Sequence, residues 1–67
     1  MNIPEVKKRM KAKNITNDKM ARELGMNPST YYRKMQKNGE EFSALDLMVF
    51  RRVLEMDQQQ AIDFLLS

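Results

Sequence analysis

Apolar positions along the chain recur at helical spacing. Val6 and Met10 stand four apart in an otherwise charged stretch, which predicts a first helix over 4–13 with Pro4 in its first turn. Each later helix start carries one signature. Thr16 follows Ile15 and precedes Met20; Asn27 follows Met26, is followed at once by Pro28, and reaches Tyr31; Ser43 follows Phe42 and reaches Leu47, with Asp46 placed to return a bond to the cap backbone. A side-chain oxygen at such a position accepts from a first-turn N–H, and the flanking apolar pair fixes the angle at which the chain enters the helix. Asp57, with Met56 before it and Gln60 three residues on, starts a last helix with a weaker staple to Ala61. Gly25 after Leu24, and Asn38-Gly39, suit the left-handed closure of a helix. The pattern predicts five helices, near 4–13, 17–24, 28–36, 44–54 and 58–66, and no strand. Helical spacing surrounds even the β-leaning Val49 and the Tyr31-Tyr32 pair. The expectation is an all-α fold in one domain over 1–67.

The second and third helices are short, and only Gly25-Met26-Asn27 separates them. A three-residue, glycine-led turn between two short helices is the helix-turn-helix arrangement. Ala21, four residues before Gly25, is small where the helices cross closest. Met20, Leu24, Met26 and Tyr31 are expected to fill the angle between them. Tyr31 and Tyr32 diverge by about 100° on a helix, so Tyr31 is assigned to the core and Tyr32 to the surface.

The run Thr16-Asn17-Asp18-Lys19-Met20-Ala21-Arg22-Glu23-Leu24-Gly25-Met26-Asn27-Pro28-Ser29-Thr30-Tyr31-Tyr32-Arg33 resembles the helix-turn-helix of the phage repressor and Cro-type family. That family typically reads Thr-Gln-x-x-Leu-Ala-x-x-Leu-Gly-Val-Ser-x-Ser-Thr-Ile-Ser-Arg. Glu41-Phe42-Ser43-Ala44-Leu45-Asp46-Leu47 and Val53-Leu54-Glu55-Met56-Asp57 resemble its fourth helix and the turn into its fifth. The resemblance covers most of the chain and implies a five-helix, lambda-repressor-like DNA-binding domain, commonly a dimer on a two-fold symmetric operator. It implies base contacts from Ser29, Thr30, Tyr32 and Arg33, and phosphate contacts from Asn17, Lys19, Asn27, Gln36 and Lys37. Arg33 suits a bidentate guanine contact and the Thr30 methyl a thymine methyl. The chain departs from the family at Lys34, where an apolar residue is usual and Met35 comes one step later. Either Lys34 snorkels along the core edge or the helix is slightly rotated.

Charge adds direction to this picture. The net charge of +3 conceals ten basic against three acidic residues over 1–37, a balance of +7, and two against six over 38–67, a balance of −4. The first part is expected to face a polyanion, although the Lys7–Lys13 run also fits a merely solvated face. Arg51 and Arg52 fit either solvent or a phosphate.

Composition narrows the chemistry. The chain has no cysteine and no histidine, which removes disulfides, thiolate metal sites and the commonest general base. An enzyme would need a carboxylate, Lys or Tyr acting in a pocket for which five short helices have little room. No catalytic residue, cofactor, metal or small-molecule ligand is expected. No apolar run approaches the ~18 residues that cross a bilayer, and nothing at the N-terminus resembles an export signal, so a cytoplasmic protein, at the nucleoid when DNA-bound, is expected. The seven methionines, Met10, Met20, Met26, Met35, Met48 and Met56 among them, are mostly expected to fill core gaps.

The C-terminal quarter is apolar for its size. Phe64 lies off the stripe of Ala61, Ile62, Leu65 and Leu66. Phe50, Phe64, Leu65 and Leu66 are therefore expected to form a patch for self-association or for another protein. In the alternative, both faces close on the first helix and leave Phe64 half exposed. Two functions follow: a sequence-specific transcriptional regulator, or a modulator on the same fold that docks on a repressor through the last helix.

Overall fold

Side-chain caps open every helix of this chain. Asn2 Oδ1 accepts from Glu5 N–H, Thr16 Oγ1 from Lys19, Asn27 Oδ1 from Ser29, Ser43 Oγ from Asp46 and Asp57 Oδ1 from Gln60. At Ser43 and Asp57 the bond is returned, by Asp46 Oδ2 and by Gln60 Oε1, completing two capping boxes. In the computed structural model, which describes residues 1–66, these caps start α1 (Ile3–Ala12), α2 (Asn17–Glu23), α3 (Pro28–Gln36), α4 (Ala44–Val53) and α5 (Gln58–Leu65). There is no strand among the described residues. Position 67, the end of the expected domain, lies outside them.

Boundaries differ from the sequence reading by one residue, for local reasons. The first helix starts at Ile3, not Pro4, because Asn2 supplies a cap. The first, second, fourth and fifth end one residue early, because Lys13, Leu24, Leu54 and Leu66 are the half-in residues that end them.

Four helices close through one device. The N–H of the residue after the left-handed position bonds to the carbonyl five residues back: Ile15 to Met10, Met26 to Ala21, Gly39 to Lys34 and Met56 to Arg51, at 2.8–3.0 Å. The left-handed residues are Asn14, Gly25, Asn38 and Glu55, and the pattern satisfies carbonyls that a helix end otherwise leaves open. Gly25 has φ +68°, and a Cβ there would meet nothing within 4 Å. Its role is conformational, not steric. The closures at Asn14 and Glu55 carry no glycine, so sequence reading passed over them.

The helices pack α2 on α3, α2 on α4 and α1 on α5. The radius of gyration is 10.6 Å, close to the ~11 Å that scaling gives for a compact chain of this length. Tyr31, Phe50, Met20, Leu54 and Val6 are fully buried. Tyr31, Phe42 and Phe50 form a ring-to-ring line through the core, with centroids 6.4 and 5.1 Å apart. Tyr32 extends that line to the surface, its ring 5.8 Å from Tyr31.

Two of the four residues assigned to an exposed patch are core instead: Phe50 and Leu65 are buried. Phe50 meets Phe42 edge to face, and Leu65 belongs to the same buried cluster. The apolar stripe of α5 is thus Ala61, Phe64 and Leu65, while Ile62 and Leu66 face outward. Phe64 is half-buried beneath the Arg9 guanidinium, 4.9 Å from its ring centroid. The last helix therefore closes on α1 through one face only: Phe64 is half exposed as the alternative held, but Ile62 and Leu66 stay outside. Met48 is also exposed, not core.

Candidate nucleic-acid interface

The face of α3 opposite the core is set by two residues. Tyr31 and Met35, four apart, are buried, which turns Ser29, Tyr32, Arg33 and Gln36 outward, all exposed, with Thr30 half-buried beside them. The departure at Lys34 resolves in favour of snorkelling. Lys34 is half-buried, its Nζ stands 5.9 Å from the Phe42 ring centroid, and Met35 occupies the core.

At the head of α3, Asn27 Oδ1 accepts from both the N–H and the Oγ of Ser29, at 3.1 and 3.0 Å. The Asn27 carbonyl is thereby committed to the cap, and only its amide donors remain for a ligand. Asn17, at the first position of α2, is half-buried and bridges the two tyrosines. Its Oδ1 accepts from Tyr31 Oη at 3.0 Å, and its Nδ2 donates to Tyr32 Oη at 3.4 Å. Burial, then the neighbouring Tyr32, pushes the Tyr31 hydroxyl up to about 12, so it is a neutral donor at any physiological pH. A residue expected on a phosphate is thus also the polar link that aligns α2 with α3.

Lys19 is exposed and enters no ion pair; its backbone N–H is held by Thr16. Among the described residues the ion pairs are Lys13–Glu55, Arg33–Glu41, Lys37–Glu41 and Arg52–Glu23. Arg51 and Arg52 are both exposed: Arg52 pairs with Glu23 of α2, and Arg51 Nε donates to the Met56 carbonyl at 3.4 Å. Among the described residues, Lys7, Lys8, Lys11, Lys19 and Arg22 have no carboxylate partner, and all five are exposed.

Two of these unpaired lysines flank α3. An open trough of about 550 Å³ between α1 and the start of α2 is lined by Lys7, Lys11, Thr16, Asn17, Asp18 and Tyr32, among others, so its two lysines face one carboxylate. A smaller recess of about 140 Å³ continues from it past Lys7, Asn17 and Tyr32 to Gln36, with Tyr31 and Met35 also in its lining. Sequence reading left the Lys7–Lys13 run undivided. The available signal was the four-residue step from Lys7 to Lys11, which places both on one helix face.

Arg33 and Lys37 are not free. Arg33 Nη1 lies 3.0 Å from Glu41 Oε1, and Lys37 Nζ lies 2.9 Å from Glu41 Oε2. The bond from Lys37, aided by the charges of Lys37, Arg33 and Lys34, holds the Glu41 carboxyl below its usual range. Nothing at the sequence level paired Glu41 with Arg33, since they are eight residues apart in different elements.

A separate apolar surface lies on α4 and α5. A groove of about 220 Å³ is lined by Ala44, Leu47, Met48, Ala61, Ile62 and Leu66, among others. Leu45 is 73% exposed, Leu66 67% and Met48 64%. This surface shares Leu66 and, at its floor, the buried Leu65 with the expected patch, and it excludes Phe50.

Compared with protein-family models, curated proteins and solved structures, the chain matches none. No helix among the described residues is long and apolar enough to cross a membrane.

Proposed function

We propose that this protein is a sequence-specific, DNA-binding transcriptional regulator of the phage repressor and Cro type, with a lambda-repressor-like fold. In this reading α2 and α3 are the helix-turn-helix, and α3 enters the major groove of duplex DNA in the cytoplasm, at the nucleoid. The observation that carries it is the outward face of α3: Ser29, Tyr32, Arg33 and Gln36 are exposed together, beside a trough lined by two unpaired lysines. Arg33 would read a guanine edge, and Thr30 and Tyr32 would contact neighbouring bases. Lys19, Lys37 and the head of α3 would hold phosphates, helped by the positive end of the helix dipole. No catalytic residue is assigned.

Selection of binding sites from random duplex DNA tests this reading. A recovered motif supports it, and a palindromic one adds two-fold symmetry. If roughly six phosphates are neutralised, the log–log salt slope is about −5. Arg33→Ala costs roughly 1–3 kcal/mol at one base position; an equal loss on selected and random DNA would refute base reading by Arg33. A homodimer on a symmetric site would bury the exposed Leu45, Met48, Ile62 and Leu66. A strict monomer at high micromolar concentration in sedimentation refutes a strong one.

That same exposed surface favours a second reading, a modulator that docks on a repressor through α4 and α5. A gel shift with DNA from upstream of the protein's own gene separates the two. A regulator retards it with salt-sensitive affinity, whereas a pure modulator does not.

A further inference from the structure

We propose that Glu41 sets the DNA selectivity of α3, by holding the Arg33 guanidinium in one orientation and by cancelling charge that would otherwise grip any phosphate. The inference rests on the DNA-binding reading and deepens it. Glu41 lies outside α3, in the turn before α4, and its backbone is pinned on both sides. Glu40 N–H bonds to the Lys37 carbonyl, Phe42 N–H bonds to the Gly39 carbonyl, and the Phe42 side chain is buried in the core. The carboxylate is therefore delivered to the α3 face from a fixed anchor.

Its two oxygens divide their work. Oε1 takes Arg33 Nη1 at 3.0 Å and Oε2 takes Lys37 Nζ at 2.9 Å. A guanidinium carries five N–H donors, so one bond to Glu41 leaves the two-point guanine contact available. A free arginine on an exposed helix samples many rotamers and loses that freedom when it binds. One already tethered loses less, but only for a duplex that presents its acceptors where the tethered fork points.

Charge works in the same direction. Arg33 and Lys37 without Glu41 present two positive charges to a phosphate backbone; with it they present one. Binding to random DNA depends on that net charge, and each additional neutralised phosphate steepens the salt slope by about 0.9. At about 0.15 M salt, one unit of charge changes random-DNA affinity about five-fold by that slope. Binding to the selected site also depends on how Arg33 is oriented, so Glu41 lowers random binding more than specific binding.

The test measures affinity for a selected duplex and for random duplex, across salt, with the whole chain and with Glu41→Gln and Glu41→Ala. Thermal unfolding confirms that each variant folds. The expected result is a rise of about five-fold on random DNA, a salt slope steeper by about one, and a fall of several-fold in the ratio of selected to random affinity. In an Arg33→Ala background, Glu41→Gln should leave that ratio unchanged, because no guanidinium remains to orient. If both affinities rise by one common factor, Glu41 is only a charge and the positioning role is overturned. A selective wild-type chain whose ratio is untouched by either variant overturns the inference alone. A wild-type chain that selects no DNA overturns the DNA-binding reading, and this inference with it.

Discussion

Removing either end of the Tyr31–Asn17 bond should destabilise the protein by different amounts, and the difference follows from burial. Tyr31 is fully buried and Asn17 only half so, with 3.0 Å between the Tyr31 Oη and the Asn17 Oδ1. Tyr31→Phe keeps the ring, so its contacts with Phe42 and Tyr32 survive and no large cavity opens. What goes is one hydrogen bond, worth about 0.5–1.5 kcal/mol net. The Asn17 carbonyl left behind can turn to water. Asn17→Ala is the harsher change, because it leaves a buried hydroxyl whose next neighbour is the weak acceptor Met10 Sδ at 3.7 Å. An unsatisfied buried donor costs about 1–3 kcal/mol. Urea unfolding followed by circular dichroism should therefore place Asn17→Ala below Tyr31→Phe. For a domain this small, about 1 kcal/mol lowers the thermal midpoint by roughly 4–8 °C. The double variant should resemble Tyr31→Phe more than the sum of the two, since the orphaned hydroxyl is gone. Strict additivity, or an Asn17→Ala no worse than Tyr31→Phe, would show that the bond does not couple α2 to α3.

Other outcomes follow from particular residues. Burial raises the Tyr31 hydroxyl from about 10 in the unfolded chain to about 12 in the folded one. Its contribution is therefore complete below about pH 10 and is lost as pH climbs toward 12. The deficit of Tyr31→Phe, measured by urea midpoint, should shrink across that window; a constant deficit contradicts the raised value. Gly25→Ala adds a Cβ that meets nothing within 4 Å. Its cost is then only the left-handed backbone penalty less the unfolded-state gain, about 1 kcal/mol. A loss several times larger in thermal unfolding means that the turn is sterically closed. Lys7→Ala with Lys11→Ala should reduce the steepness of the salt slope by about one per lysine. An unchanged slope assigns α1 to solvent.

Features governed by near neighbours were legible in the chain. Thr16, Asn27, Ser43 and Asp57 cap the helices they precede, because a cap needs only a side-chain oxygen and an N–H two or three residues on. Gly25 closes α2 for a similarly local reason. Asn14 and Glu55 escaped notice because a non-glycine residue takes the left-handed conformation there, and the packing of Ile15 and Met56 against the core accompanies it.

Facing was harder to read. Phe50 and Leu65 are buried while Leu45, Met48, Ile62 and Leu66 are exposed, although all six are apolar residues of α4, α5 or the cap that ends α5. Periodicity defines a stripe but not its width. Which neighbours are covered depends on the neighbouring helices, here α1 on α5 and α2 on α4. The amino-acid order by itself determined five helices, the caps of the last four and which of two adjacent tyrosines turns inward, since each depends on interactions spanning about one helical turn. The tertiary structure alone decided that Asn17 joins Tyr31, that Arg52 joins Glu23, and that Glu41 stands over Arg33 and Lys37. Such pairings depend on where the packed helices bring distant side chains, and no local spacing encodes that.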